Sequence, residues 1–142
     1  MSPVLRRATR PLRAGDKLVG SIPPGCYTGN AIDEMVWEAI ATIDEETTIH
    51  DRGVPYRLGA PNGNGAEMRV GLSGTGAPLT TLTIEPGVTV KVHPAGRLHM
   101  SSSLNASGTG YHPSGSLIAL GTATAPITRT SAAAAPAARP PS

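Results

Sequence analysis

The turn Glu85-Pro86-Gly87-Val88, set between two short runs of alternating apolar residues, constrains this chain more than any other feature. Proline holds φ near about −65° at the first central position, and glycine supplies the positive φ that the second position of a type II turn requires. Before the turn stand residues 79–84. After it, Val88, Val90 and Val92 share one face of an extended strand. No helix can cross such a segment, so the chain must reverse or bend between short strands.

The pattern repeats. Alternating runs occur at 54–58, 67–72, 79–84 and 88–92; Leu98 and Met100 mark another, and 117–120 and 127–130 follow. His93-Pro94-Ala95-Gly96 offers a second turn. Strands this short and this closely spaced predict a mainly β fold, with the turns acting either as hairpins or as the corners of a solenoid. Composition agrees. The 142 residues include 17 Gly and 14 Pro but no Phe, one Trp and three Tyr, too few aromatics for a layered α/β core of this length. Charged residues are only 15%, so polar faces fall to Ser, Thr, Asn and Gly.

The flanks read differently. Residues 1–29 are basic and irregular, with Arg6, Arg7, Arg10 and Arg13 in a solvated terminus. No aromatics interleave with these arginines and no nucleic-acid module is recognisable, so nucleic acid is not an expected partner. The apolar stretch at 18–22 is too short for a signal peptide and runs into Pro23-Pro24. No run approaches the length of a membrane-spanning helix. Cys26 is the sole cysteine, which excludes an intrachain disulfide and a Cys-based zinc site. Residues 30–46 predict an amphipathic helix: Asn30 as cap, Asp33 and Glu34 in the first turn, and Ile32, Met35/Val36, Ala39/Ile40 and Ile43 at helical spacing. The same stretch near Ile43 also suits a strand. Residues 132–142, rich in Ala and Pro, are expected to be disordered.

The strings LTIEPGVTVKV (82–92) and SLIALGTATAPITRTS (116–131), with GVPYRL (53–58) upstream, resemble the rung signature of bacterial pectin-lyase-like proteins. The resemblance covers residues 47–131. It implies a short right-handed parallel β-helix of about three rungs, with the helix at 30–46 capping its N-terminal end. It also implies an extracellular or cell-surface setting. Three departures matter. The stretch 98–116 exceeds a simple turn and predicts a loop leaving the wall. Arg129 stands where the family usually has a buried Phe. After Ser131 the family continues into further rungs, whereas this chain enters Ala-Pro sequence, which reads as a truncated or frameshifted member or the first segment of a longer solenoid. A final rung without a cap leaves backbone groups and apolar residues unpaired, and predicts self-association through that end or marginal stability.

The sequence assigns no catalytic residue, metal site or cofactor. Glycoside hydrolysis needs two positioned carboxyl groups; lyases of the resembled family use acidic calcium ligands with a basic residue. After Asp51 the only acids are Glu67 and Glu85, and Glu85 lies in the structural turn. Asp44-Glu45-Glu46 reads as a solvated turn. His93 and His99 could approach one another on successive strands, but His50, His93, His99 and His112 lack the carboxylate or thiolate company of a metal site. Ser101, Ser102 and Ser103 lack a nucleophile-elbow context. The binding candidates left are Tyr111 and His112, since an exposed aromatic ring can stack on a sugar; the alternative is that Tyr111 packs against the wall. The first functional reading is therefore a non-catalytic β-solenoid segment serving structure or polysaccharide and surface recognition. A fragment of a polysaccharide lyase or hydrolase lacking its active-site rungs is the second. A virion or intracellular adaptor component using the basic N-terminus is the third.

Overall fold

The computed structural model describes residues 12–14, 18–30, 32–37, 41–59 and 66–131. The chain is mainly β, and no α-helix occurs among the described residues. Three parallel sheets carry the fold. The first joins β1 (Leu12–Ala14), β2 (Met35–Trp37), β5 (Tyr56–Leu58), β8 (Thr89–Val92) and β13 (Thr128–Ser131). The second joins β3 (Ala41–Ile43), β6 (Glu67–Val70) and β9 (Arg97–Met100). The third joins β4 (Thr47–Ile49), β7 (Thr80–Ile84) and β12 (Gly115–Ala119). From β2 onward the chain visits the sheets in turn, so β2-β3-β4, β5-β6-β7 and β8-β9-β12 form three successive levels. That order is compatible with a β-solenoid.

Register explains why the short apolar runs are compatible with one core. Met35 pairs with Tyr56, Tyr56 with Val90, and Val90 with Arg129. Met68 pairs with Leu98, and Leu82 with Leu117. Alternation then sends Tyr56, Leu58, Met68, Val70, Leu82 and Ile84 inward from the middle level, where all six are buried. The level after it is less covered: Leu82 is 0% exposed, whereas its partner Leu117 is 40% exposed and Leu98 39%. Both turns form. Gly87 has φ 85° and Val88 N–H reaches Glu85 O at 3.4 Å; Gly96 N–H donates to His93 O at 2.7 Å.

The helix expected over 30–46 does not form. Met35–Trp37 and Ala41–Ile43 are strands, and β4 begins at Thr47. Met35, Val36 and Trp37 are all buried, so this segment is covered on both faces and its apolar run has no true helical stripe. Asn30 does not cap a helix. Its backbone N–H and that of Gly29 donate to the Asp33 carboxylate at 2.8 and 3.2 Å, and its side chain donates to Tyr27 O at 2.8 Å. The N-terminal end of the sheets is met instead by elements of the segment expected to be irregular. β1 pairs with β2, and a single 3-10 turn at Leu18–Ser21 packs on β4, with Gly20 close to Thr47 and Thr48. The loop expected within 98–116 is a hairpin, β10 (Ser102–Leu104) with β11 (Tyr111–Pro113). The tail at 132–142 lies outside the described residues.

Candidate functional site

The hairpin is built from its base outward. Ser101 N–H donates to Val70 O at 2.9 Å, and Ser101 O accepts from Ser114 and Gly115 N–H, each at 3.0 Å. Gly71 sits under this crossing with φ 87°, and a Cβ there would overlap the Ser114 backbone. Ser103 is buried; its hydroxyl donates to Gly74 O and accepts from Ala77 N–H. Gly76 N–H donates to Leu104 O at 2.9 Å, which laces the 71–79 loop to the hairpin. The serines Ser101 and Ser103 thus serve architecture. At the tip, Asn105 N–H donates to Gly110 O at 2.7 Å, and the Asn105 side-chain oxygen accepts from Thr109 N–H and Ser107 hydroxyl, both at 2.9 Å. Tyr111 is 76% exposed on this frame, so it does not pack against the wall. His112 pairs across with Ser103 and is half-buried.

The remaining sequence candidates fall into separate groups. Glu85 is occupied: its two oxygens accept from His50 Nδ1 at 2.8 Å and from Asp51 N–H at 3.0 Å. The His50 bond, then the Asp51 backbone bond, hold the Glu85 carboxyl below the usual carboxylate range. Asp51 caps its own turn through Gly53 N–H at 2.9 Å. Beneath them Tyr56 donates to His50 O at 2.6 Å, and burial pushes its phenol up to about 12. Glu67 is clasped by Arg69 at 2.6 Å, which lowers its carboxyl, with smaller help from His99 and Arg97. His93 and His99 do not stack: His93 sits in the β8–β9 turn, and His99 is in register with Arg69. Glu46 accepts from Thr81 N–H at 3.0 Å. Among the described residues no three His, Cys, Asp or Glu side chains gather as a metal site, and no helix is long and apolar enough to cross a membrane.

Two features were not anticipated from sequence. Glu34 is buried on the outer side of the first sheet, where it meets Lys91 Nζ at 2.6 Å and Arg57 at 3.5 Å. Arg57 and Lys91 are neighbours in register, so one carboxylate neutralises two stacked cations. Only the parallel register, invisible without the strand pairing, reveals that cluster. The second feature is a cavity of about 590 Å³ whose lining draws on all three levels, including Trp37, Leu82 and Leu117, with Arg129 also on its wall.

Comparison of the chain with protein-family models, with curated proteins and with solved structures finds no match.

Proposed function

We propose that this chain is a non-catalytic segment of a right-handed parallel β-helix of about three rungs, belonging to a bacterial secreted or cell-surface protein and recognising a polysaccharide through the Tyr111 hairpin. The observation that carries the reading is the 76% exposure of Tyr111 on a hairpin whose every other strong feature is internal support. A solvated aromatic ring on a rigid mount suits the apolar face of a sugar. His112 follows it on the same strand and so lies on the opposite face, with the buried Ser103, where it belongs to the mount and not to the ring's binding face.

The chemistry of the acids supports binding over turnover. Glu34, Glu67 and Glu85 are each engaged by cations or backbone donors, which leaves none of them poised as a free acid–base pair. Affinity electrophoresis through a panel of soluble pectins, xylans and glucans tests the proposal. Retardation by at least one polymer, lost in Tyr111→Ala and kept in Tyr111→Trp, is expected. Release of reducing ends or unsaturated products from these polymers by the chain alone would overturn it in favour of an enzyme.

A further inference from the structure

We propose that Asn105, at the tip of the β10–β11 hairpin, is an acceptor site for N-linked glycosylation of the folded chain. This goes beyond polysaccharide recognition by Tyr111 and does not depend on it.

Three observations carry the proposal. The first is the triplet Asn105-Ala106-Ser107. Transferases that attach sugar to asparagine read Asn-x-Ser/Thr with any residue but proline in the middle, and the hydroxyl two residues on is part of the acceptor. The chain has four asparagines, and Asn105 alone meets that rule: Asn30, Asn62 and Asn64 are followed two residues on by Ile32, Asn64 and Ala66.

The second is presentation. Asn105 opens a turn in which Gly108 N–H donates to Asn105 O at 2.9 Å, and Asn105 N–H closes the hairpin on Gly110 O at 2.7 Å. Ala106, Ser107, Gly108 and Thr109 are all exposed, and a Cβ on Gly108 would meet nothing within 4 Å. The triplet therefore stands clear of the sheets, on an element whose base is held by Ser101 and Ser103. Exposed loop tips are where another enzyme can reach the backbone of a folded chain.

The third is the orientation of the carboxamide. Ser107 hydroxyl and Thr109 N–H both donate to Asn105 Oδ1 at 2.9 Å, and a backbone N–H can only donate, so the oxygen is the end turned to these donors. Nδ2 is left with Thr109 Oγ1 at 3.5 Å, longer than an ordinary N–H···O bond. Its other close neighbour is Gly110, where a Cβ would stand 3.4 Å away, so glycine at that position keeps the nitrogen uncovered. Asn30 shows the contrast: its Nδ2 is tied to Tyr27 O at 2.8 Å and to the Asp33 carboxylate at 3.2 Å.

In the transfer, Asn105 Nδ2 attacks the anomeric carbon of a diphosphate-activated sugar. The nitrogen–carbon bond forms and the bond from that carbon to the diphosphate oxygen breaks. The diphosphate leaves with the electron pair, and a carboxylate of the transferase takes one Nδ2 proton. This chain supplies the acceptor alone.

The test incubates the full chain, beside a peptide of residues 101–113, with UDP-glucose and a soluble transferase that moves glucose onto Asn-x-Ser/Thr and is first shown active on a reference peptide. Intact mass, fragment mapping and far-UV circular dichroism are the readouts. The folded chain is expected to gain one hexose, at Asn105, and to keep its β signal. Asn105→Gln and Ser107→Ala are expected to abolish the gain, and Ser107→Thr to keep it. Tyr111→Ala, which removes the proposed polysaccharide contact, is expected to be modified like the parent chain, so the two proposals fail separately. Modification of the peptide but not of the folded chain would overturn the proposal. So would refusal of both, hexose at any other residue, a gain that survives Ser107→Ala, or loss of β signal in the product.

Discussion

Leu82 and Leu117 are partners in register on one inward column of the third sheet, yet one is fully covered and the other is 40% exposed. Truncating each to alanine measures where the interior stops. Leu82→Ala removes fully buried methyl groups, and loss of transfer energy with incomplete collapse costs about 3 kcal/mol, in the lower part of the usual range because Leu82 also lines the cavity. Leu117→Ala loses only part of the transfer term. Burial of a leucine stabilises by about 2 kcal/mol, of which roughly 60% applies here, and no closed cavity is created because one already lies beside it. The expected cost is therefore about 1 kcal/mol. Urea unfolding followed by circular dichroism separates the two: with a slope of about 1–1.5 kcal/mol/M for a domain of this size, the midpoint falls by about 2–3 M for Leu82→Ala and by less than about 1 M for Leu117→Ala. Equal losses would refute the reasoning, because they would mean that Leu117 is as well covered as Leu82. A Leu117→Ala effect that grows with protein concentration would point to a second copy as the cover.

Three further outcomes follow from the contacts. Glu34→Gln leaves Arg57 and Lys91 stacked at strand spacing without their shared carboxylate, and is expected to cost about 2–3 kcal/mol in urea unfolding; adding Lys91→Met should recover part of that loss. This is below the figure for a wholly buried pair because the Lys91 side chain is about a third exposed. The Glu85 carboxyl is held below its ordinary value in the folded chain, so its contribution is complete above the unfolded pKa, about 4.3, and fades as pH falls through the lower folded value. Glu85→Gln should therefore lower thermal stability at neutral pH and flatten the acid limb of the Tm–pH curve; an unchanged limb would remove His50–Glu85 from the account. Gly71→Ala combines positive φ with overlap against the Ser114 backbone, and is expected to destabilise by more than about 2 kcal/mol and to expose the hairpin to limited proteolysis.

What could be read from sequence was local chemistry. Pro86-Gly87 and His93–Gly96 announced their turns because proline and glycine act through their own φ, whatever the surroundings. The alternation in 79–84 and 88–92 announced strands for the same reason. The segment 30–46 was misread because three-residue strands offer too few residues to separate a period of two from one of 3.6. Ile32, Met35, Val36 and Ile43 satisfied the helical spacing, and Met35-Val36-Trp37, buried on both faces, offered no alternation to set against it. Burial decided the matter, since Val36 is as covered as its neighbours Met35 and Trp37. Tyr111 was singled out by type alone. Its exposure depended on the hairpin, and thus on the backbone bonds of Ser101 and the buried hydroxyl of Ser103, residues that look like loop filler in the sequence.

Contacts across levels were harder to foresee, and one regularity accounts for them. Thr47 pairs with Leu82, so His50 and Glu85 each follow their paired residues by the same interval, and their hydrogen bond is a consequence of register. Arg57 meets Lys91 for the same reason, and Glu34 is needed because that register stacks like charges. In a parallel stack every outward residue acquires a neighbour of its own column, so charge must be arranged down columns and not only along strands. Arg129 breaks the corresponding rule for the interior. Its column holds Met35, Tyr56 and Val90, all apolar bodies directed at the core, and then a guanidinium. A cation there stops the apolar column, because burying it without a partner would cost far more than any stacking gain. The same residue that ends the packed interior also places a positive charge at the mouth of the cavity, so the uncovered level and its charge have a single cause.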